Sequence, residues 1–143
     1  MSYSIRPARA IERWTIRRIV WRAQINPFDL DWQRFLVAEQ NGKIVGVGQV
    51  KPHRDSSREL ASIAVVPLHQ GQGIGSDLVR ALLAREQNTL FLTCRAPLEA
   101  YYARFGFRRA TDHGLPPYFR RIMLLQMLVP IKAIVMKRAF EQN

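Results

Sequence analysis

The sequence has little of what disulfide-bonded, metal-binding or membrane-spanning proteins need. It contains one cysteine, Cys94, so neither an internal disulfide framework nor a cysteine-based zinc site is expected. Its most apolar stretch, residues 122–136, is interrupted by Gln126, Pro130 and Lys132, whereas a membrane span needs about 20 mostly apolar residues. The first residues contain no apolar segment long enough for a signal peptide. We therefore expect a cytoplasmic protein with no membrane partner.

Acidic residues are also scarce. The chain has 11 aspartates and glutamates against 22 lysines and arginines, a net charge of +11. Arginines crowd the first quarter of the chain: Arg6, Arg9, Arg13, Arg17, Arg18, Arg22 and Arg34. Such a surface attracts polyanions, whether nucleic acid, a phosphate-rich cofactor or an acidic partner. The alternative is a solvated helix face that only keeps the protein soluble, and no nucleic-acid motif such as a GXXG loop accompanies the arginines.

The remaining composition is that of an ordinary globular protein. Hydrophobic residues make up 48% and charged residues 23% of the 143 residues, which excludes disorder and fits one domain, residues 1–143. The three histidines, His53, His69 and His113, lie far apart with no ligand spacing, so we assign no metal. The sequence leaves open whether the protein is a monomer or a homodimer.

Hydrophobic periodicity and turn signals predict a mixed α+β chain around a central sheet. The predicted strands are residues 3–8, 34–40, 43–51, 59–66, 90–94, 107–110 and 133–139. The predicted helices are residues 9–22, 74–85, 97–105 and 115–128, the last of them ended by Pro130. In the first helix, five residues are expected to face the core, with the arginines on the wet side: Ile11, Trp14, Ile19, Val20 and Trp21.

Glycines mark special backbone positions in the second and third predicted strands. Asn41 and Gly42 join these strands and form the dipeptide most favoured in tight hairpin turns, because both central residues need positive φ. Gly46 and Gly48, inside the third strand, predict a bulge or a close approach of another element.

The most informative segment is a glycine-rich loop between a strand and a helix, residues 70–76 (QGQGIGS). Glycines let backbone N–H groups approach an anion closely, and the helix N-terminus adds unpaired donors and a partial positive charge. Together they predict a pyrophosphate site. Ser76 stands at the third glycine position of GxGxxG, and no Gly-Lys-Ser/Thr follows, so the dinucleotide and Walker loops are excluded. A glycine-rich turn that only caps a helix is the alternative.

Two motifs resemble those of the Gcn5-related N-acetyltransferase (GNAT) family. Residues 70–75 match its Gln/Arg-x-x-Gly-x-Gly/Ala motif and follow a strand that ends in AVVP. Residues 101–107 (YYARFGF) look like its second marker, an aromatic pair, three residues, then Gly-Phe. The Asn-Gly hairpin and the closing VMKR also fall where that fold has them. The resemblance covers nearly the whole chain, although only residues 59–76 and 101–107 are specific.

The resemblance implies a GNAT fold, in which helices cover both faces of a twisted, mostly antiparallel sheet splayed between its middle strands. It also implies an N-acetyltransferase that moves an acetyl group from acetyl-CoA, its co-substrate, to a primary amine by direct attack in a ternary complex. The acceptor would be a small molecule or a protein lysine. Backbone groups of Ile63, Ala64 and Val65 would pair with the pantetheine arm. The loop would bind the pyrophosphate through Gln70, Gly71, Gln72, Gly73, Ile74, Gly75 and Ser76.

The resemblance also implies catalytic roles. Tyr102 stands where the family keeps its usual general acid for the CoA sulfur, and Tyr101 is better interpreted as a core aromatic. Glu59 is in register with the glutamate that some histone-type members use as base; the alternative is an exposed residue that pairs with Arg58 or Lys51. The sequence departs from ribosomal-protein acetylating members, which have a glutamate where Thr93 stands and an asparagine in the following loop. That difference argues against an N-terminal peptide substrate.

Three further hypotheses remain open. The chain could be an inactive acyl-CoA-binding or regulatory module, although such a module needs neither Tyr102 nor Glu59. It could be a basic domain that binds nucleic acid or an acidic partner. Cys94 lies beside the expected thioester site, but a lone strand cysteine is more often a small buried hydrophobe than a covalent nucleophile.

The acceptor pocket is expected from residues 14–32 and 112–119, whose arginines and aromatics favour an acceptor with an acidic or planar portion.

Overall fold

A computed structural model of the chain describes residues 2–111, 114–128 and 132–140. The chain divides into two compact units. Unit 1 comprises Met1–Lys51 and Leu60–Glu86, and unit 2 comprises Pro52–Glu59 and Gln87–Asn143. The organisation as one domain over residues 1–143 stays a prediction. His113 and Pro130, which enter the predictions above, lie outside the described residues.

Seven strands and four α-helices occur among the described residues. The strands are β1 (Ser4–Pro7), β2 (Phe35–Gln40), β3 (Lys43–Pro52), β4 (Arg58–Val65), β5 (Leu90–Arg95), β6 (Arg108–Arg109) and β7 (Ala133–Arg138). The helices are α1 (Arg13–Arg22), α2 (Ile74–Ala84), α3 (Glu99–Ala103) and α4 (Pro117–Leu125). Short 3₁₀ turns at Ala10–Glu12 and Ala96–Leu98 take up the start of the first and third predicted helices.

The strand order of the sheet is β1-β2-β3-β4-β5-β7-β6, and the sheet is mostly antiparallel. β4 and β5 run parallel, and the described residues pair them at one position, Glu59 with Phe91, near the start of both strands. The predicted fold class is therefore confirmed, including the central mostly antiparallel sheet.

Helices cover both faces of the sheet in unit 1. Because successive strand residues point to opposite faces, Val37 and Val47 share one face and Gly46 and Gly48 the other. The first pair packs in a cluster with three residues of α1, namely Ile16, Ile19 and Val20. The second pair lies against α2: a Cβ on Gly46 would come within 3.0 Å of Leu78, and one on Gly48 within 3.0 Å of Leu82. The close approach predicted at these glycines is thus confirmed.

The prediction of which α1 residues face the core was partly wrong. Ile19 and Val20 are buried as predicted, together with Ile16, but Ile11, Trp14 and Trp21 are 85%, 61% and 72% exposed. At 3.6 residues per turn, the buried set at 16, 19 and 20 forms one stripe, and Trp14 and Trp21 project from another side. Trp14 and Trp21 were predicted to share the buried side of α1 with Ile19 and Val20, but they lie on a different side of the helix.

The predicted hairpin between β2 and β3 is present. Asn41 and Gly42 have φ values of 53° and 76°, as a tight turn with two positive φ angles requires. The register of the two strands shifts between Ala38 and Glu39, whose partners are Gly46 and Ile44. Val45 is therefore the extra residue of a β-bulge on β3.

Unit 2 contains the second half of the sheet and its own small core. β7 pairs along its length with β5 and, on its other side, with the two-residue β6. The core cluster combines Phe91 and Val135 from the sheet with Leu115 and Phe119 from α4 and the residues before it. Phe91 and Phe119 stack with ring centroids 4.9 Å apart, which fixes α4 against β5.

The α-helices are short, from 5 residues in α3 to 11 residues in α2. Among the described residues, none of them combines the length and the apolar character that crossing a membrane requires.

Candidate active site

The glycine-rich loop of unit 1 has a left-handed backbone at two of its glycines. Gly71 and Gly73 have φ values of 79° and 87°, and a side chain placed on either would meet no atom within 4 Å. Gly73 is the N-cap residue of α2 and has no side chain with which to cap it. The first turn of an α-helix has N–H groups without intrahelical acceptors. Open space therefore lies beside the Cα atoms of Gly71 and Gly73, at the start of α2.

The start of α2 is firmly anchored. Ile74 is buried, with its Cγ2 atom 3.0 Å from the Cβ position of Gly46. Asp77, in the first turn, would repel an anion, but the Tyr3 hydroxyl donates to its Oδ2 and Arg80 pairs with its Oδ1 at 3.1 Å. The Arg80 guanidinium partly offsets the charge of this carboxylate.

β4 is bent immediately before the three residues expected to pair with pantetheine. Ser62 has a φ of 60°, a left-handed conformation that is rare for a residue other than glycine inside a strand. Its hydroxyl accepts a hydrogen bond of 2.9 Å from Nε2 of Gln49, which is completely buried. Further along, the carbonyl of Val65 accepts a hydrogen bond of 3.0 Å from Nε2 of Gln70. The loop and the strand are therefore tied together within unit 1.

Glu59, the candidate base in unit 2, is buried with only 6% of its surface exposed. Its Oε1 lies 2.8 Å from Nε2 of His53. The alternative of an exposed strand-end residue is therefore wrong. A buried carboxylate needs a donor to offset its lost hydration, and here a histidine six residues earlier in the chain supplies one.

His53 itself is held by aromatic residues of α4. Its ring stacks on Tyr118 with centroids 3.7 Å apart and 18° between the planes, and it meets the edge of Phe119 at 5.8 Å. The backbone N–H of Tyr118 donates to Oδ2 of Asp55 at 2.9 Å. Burial acts to raise the pKa of Asp55, but hydrogen bonds from Ser57 and from the Tyr118 amide outweigh it and lower this pKa to about 2.

Tyr102, the candidate general acid, lies on α3 in unit 2. It is partly buried, its ring meets Tyr101 edge-on at 5.0 Å, and its hydroxyl has no hydrogen bond to any residue that the structure describes. Burial raises its pKa well above the ordinary value, and the nearby Tyr101 and Cys94 act in the same direction. The phenol therefore stays protonated at neutral pH with its proton available to a bound molecule.

Cys94 lies near Tyr102 and has the features of a buried hydrophobe. Its Sγ is 3.9 Å from Sδ of Met136 on the neighbouring strand β7. Burial, with a smaller effect from Glu99, raises the pKa of the thiol. A thiol that resists ionisation is a poor nucleophile, which argues against a covalent acyl-enzyme.

Within each unit, the described residues bring some of the predicted site residues together, and they place three residues around Glu59 that were not predicted there, although Tyr118 lies in the range 112–119 expected for the acceptor pocket. Within unit 1 the Gln70 side chain bonds to Val65, and within unit 2 Cys94 lies close to Tyr102. His53, Tyr118 and Asp55 were missed as neighbours of Glu59. One signal was available: His53 and Glu59 flank the turn between β3 and β4, in which the His53 amide donates to the Ser57 carbonyl at 2.9 Å. Side chains at matching ends of a hairpin meet.

The exposed residues of α1 form a second feature of unit 1. They consist of arginines and tryptophans alone: Arg13, Trp14, Arg17, Arg18, Trp21 and Arg22. The guanidinium groups of Arg13 and Arg17 lie 5.6 and 5.1 Å from the Trp14 ring centroid. A pocket of about 340 Å³ beside this helix is lined by Arg17, Trp21, Pro27, Phe28, Asp29 and Leu30. We call this set of six exposed helix residues the α1 face.

Metal chemistry has no side-chain support within the described ranges. No group of three or more histidine, cysteine, aspartate or glutamate side chains there could hold a metal ion.

Comparison with known proteins adds a family match and one related sequence. A family model described as an acetyltransferase (GNAT) domain matches residues 31–109, more than half of the chain. A mycothiol acetyltransferase from Nocardia farcinica is 33% identical over 82 residues, which is 55% of this chain and 27% of that protein. The chain therefore spans about a quarter of the length of this curated relative.

Solved structures share the fold at low sequence identity. N-acetylglutamate synthase from Neisseria gonorrhoeae, solved with coenzyme A and N-acetyl-glutamate, matches with a TM-score of 0.79 and 19% identity. This match covers 99% of the chain but 36% of the synthase. Rv2747 from Mycobacterium tuberculosis, solved in complex with CoA, matches with a TM-score of 0.80, 21% identity and coverage of 96% and 99%. At such identities the likeness shows the fold.

Proposed function

Because the chain belongs to the GNAT acetyltransferase family, we propose that it transfers an acetyl group from acetyl-CoA to a primary amine. The observation that carries the proposal is the open N-cap of α2. There, Gly73 offers neither a side chain nor a neighbouring atom to fill the space in front of the helix. The family match and the CoA complexes of the structural neighbours support the same conclusion.

The residues of unit 1 fit the phosphates and the pantetheine arm of CoA. Backbone N–H groups of residues 71–76 would donate to the pyrophosphate, and the helix dipole would stabilise its charge. Ile63, Ala64 and Val65 would pair with the pantetheine amides like an added strand. The bend at Ser62 turns this part of β4, which would make its backbone groups available.

The bound co-substrate supplies the thioester: the amine nitrogen bonds to the acetyl carbon, the C–S bond breaks, and the sulfur leaves as a thiolate that takes up a proton. Glu59 would accept the first proton, from the ammonium form of the acceptor, so that a neutral amine can attack. Tyr102 would donate its phenolic proton to the departing sulfur and recover one from the acetylated nitrogen. The products are an N-acetyl amide and free CoA thiol, with one proton left on Glu59 to exchange with water.

The raised pKa of Tyr102 bears on how its phenolic proton would reach the departing sulfur. A buried phenol is a much weaker acid than a thiol, whose ordinary pKa is about 8.5, so complete transfer to sulfur before the nitrogen loses its proton would be unfavourable. Tyr102 would therefore act as a relay that gives and receives a proton in one concerted movement. Most of the rate would come from holding the amine and the thioester together.

The acceptor is the least constrained part of the proposal. The Nocardia relative is named for mycothiol and the Neisseria enzyme for N-acetylglutamate, two different compounds, and this chain spans only part of both proteins. The pocket beside α1 offers a guanidinium from Arg17 and two aromatic rings, Trp21 and Phe28. These groups favour an acceptor amine with an acidic or planar portion, whether a small molecule or a protein lysine next to such a group.

Calorimetry of acetyl-CoA binding tests the proposal directly. We expect micromolar binding by the wild type and its loss in Gly73→Glu, because a carboxylate would occupy the anion's place. Gly42→Glu is the matched control, since Gly42 also has positive φ and nothing within 4 Å of a Cβ. Absence of binding by the wild type, or equal binding by Gly73→Glu, would refute the cofactor assignment. Turnover is then measured by thiol release with a panel of amines.

A second candidate function is binding of a polyanion by the α1 face. None of its four arginines forms an ion pair with a described residue, and its two tryptophans are exposed. Guanidinium groups contact phosphates while exposed indole rings stack on bases, so we expect binding of single-stranded nucleic acid. Titration of tryptophan fluorescence with oligonucleotides at two salt concentrations tests it. Binding that survives Arg17→Glu/Arg18→Glu unchanged would exclude this surface.

A further inference from the structure

We propose that His53 is a positioning residue for Glu59, and that Asp55 and Tyr118 hold His53 in place for that purpose. The Nε2–H group of His53 donates to Oε1 of Glu59 and fixes the orientation in which the carboxylate receives the acceptor's proton. The inference rests on the proposed transferase function and adds a supporting group that the sequence motifs do not indicate.

The contact between the two side chains is short and shielded from water. The Nε2–Oε1 distance is 2.8 Å, and the His53 and Glu59 side chains are 9% and 8% exposed. Away from water, a hydrogen bond to a carboxylate is stronger than at the surface and its geometry is more strictly kept. A glutamate side chain has three rotatable bonds, and a hydrogen bond from His53 favours the orientations that keep Oε1 within reach of Nε2.

The His53 ring is itself held on two sides. Tyr118 covers one face at 3.7 Å, nearly parallel, and Phe119 meets the ring nearly perpendicular at 5.8 Å. Both aromatic residues belong to α4, and Phe119 is completely buried in the core of unit 2. Tilting the imidazole out of this plane would break the stack, so the aromatic contacts hold the ring plane, and the hydrogen bond to Glu59 selects the edge that carries Nε2.

Asp55 connects this arrangement to the turn between β3 and β4. Its Oδ2 accepts the Tyr118 amide at 2.9 Å, and its Oδ1 accepts the Ser57 amide at 2.9 Å. The Ser57 carbonyl in turn accepts the His53 amide at 2.9 Å. Contacts thus run from Asp55 through Tyr118 to the His53 ring and end at Glu59.

The inference is tested by a double-mutant cycle between His53 and Glu59. His53→Phe keeps an aromatic ring to stack on Tyr118 but has no donor. We expect it to lower kcat about 10- to 100-fold, the range found when a group that orients a metal-binding side chain is removed. The affinity for acetyl-CoA should stay unchanged. In a Glu59→Gln background the same change should cost less than about 2-fold, because the residue acts through Glu59. Equal losses in both backgrounds would overturn the proposal.

Two further variants separate loss of the hydrogen bond from a general disturbance of the turn. His53→Gln restores a side-chain N–H donor without the imidazole and should recover a large part of kcat; no recovery relative to His53→Phe would contradict positioning by the hydrogen bond. Arg54→Ala is the matched control, because Arg54 is exposed on the same turn, and it should leave kcat unchanged. If wild-type protein binds acetyl-CoA but acetylates no amine, the proposed function fails; an active wild type with additive losses refutes the positioning role alone.

Discussion

The side-chain amide of Gln70 donates a hydrogen bond of 3.0 Å to the backbone carbonyl of Val65. This contact links the start of the glycine loop to the end of β4. It therefore holds the loop in place where the chain leads into α2. We expect Gln70→Ala to raise the Kd for acetyl-CoA about 5- to 50-fold, because the loop's N–H groups would no longer be preorganised. Calorimetry measures this change.

The effect of Gln70→Ala should be confined to binding. At saturating acetyl-CoA the variant should keep a kcat within about 3-fold of wild type, since Gln70 takes no part in proton transfer. Gln33→Ala is a control of the same residue type at an exposed position, and it should change neither constant. Unchanged affinity in Gln70→Ala would mean that the loop keeps its conformation without this anchor.

Tyr102→Phe tests the proposed proton relay. We expect kcat to fall about 10- to 1,000-fold, around the range for one general acid, while acetyl-CoA affinity stays the same because only the hydroxyl is removed. Burial raises the pKa of Tyr102, so wild-type activity should not decline between about pH 8 and 10 through ionisation of this phenol. Tyr101→Phe serves as comparison and should cost less than about 3-fold. Unchanged turnover in Tyr102→Phe would remove this residue from the chemistry.

The parts of the fold that follow local rules were predictable from the sequence. Asn41 and Gly42 require a two-residue turn wherever they join two strands, and Gly71 and Gly73 permit a conformation that other residues resist. These signals depend on backbone sterics within a few residues. The glycine loop and the hairpin could therefore be placed without knowledge of distant contacts.

The surroundings of Glu59 could not be predicted in the same way. Tyr118 lies far along the chain from Glu59, and only the packing of α4 on Phe91 brings its ring against His53. Trp14 and Trp21 were assigned to the core because large apolar residues are usually buried. On the helix they project from a different side than Ile16, and their exposure identifies the α1 face.

The acid sensitivity of unit 2 should reflect Asp55. Its pKa is lowered to about 2 in the folded protein, below its ordinary value of about 3.9. A depressed pKa stabilises the fold above the unfolded pKa, and this contribution is lost as pH falls from about 4 through about 2. We expect Asp55→Asn to lower Tm at about pH 6, with the difference from wild type narrowing between about pH 4 and pH 2.

Thermal unfolding followed by circular dichroism measures this narrowing. Asp31→Asn is a suitable comparison, because Asp31 lies in unit 1, where its carboxylate accepts the Gln33 amide and lies 4.0 Å from the Arg34 guanidinium. The difference in Tm between Asp31→Asn and wild type should vary less with pH. A constant gap between Asp55→Asn and wild type over the whole range from about pH 6 to pH 2 would contradict the assigned hydrogen bonds to this carboxylate.

The contact of Gly48 with Ile63 and Leu82 sets a limit on side-chain size in β3. A Cβ at position 48 would lie 2.6 Å from Cδ1 of Ile63 and 3.0 Å from Cδ1 of Leu82, both closer than normal packing allows. These atoms end flexible side chains, so Gly48→Ala should cost about 1 kcal/mol and Gly48→Val about 2–3 kcal/mol of unfolding free energy. Because Ile63→Val removes the nearest atom, the double variant Gly48→Ala/Ile63→Val should be more stable than the sum of the two single changes predicts. Urea unfolding of wild type, both single variants and the double variant measures the coupling, and strict additivity would show that the Ile63 side chain moves aside without cost and does not limit the size of residue 48.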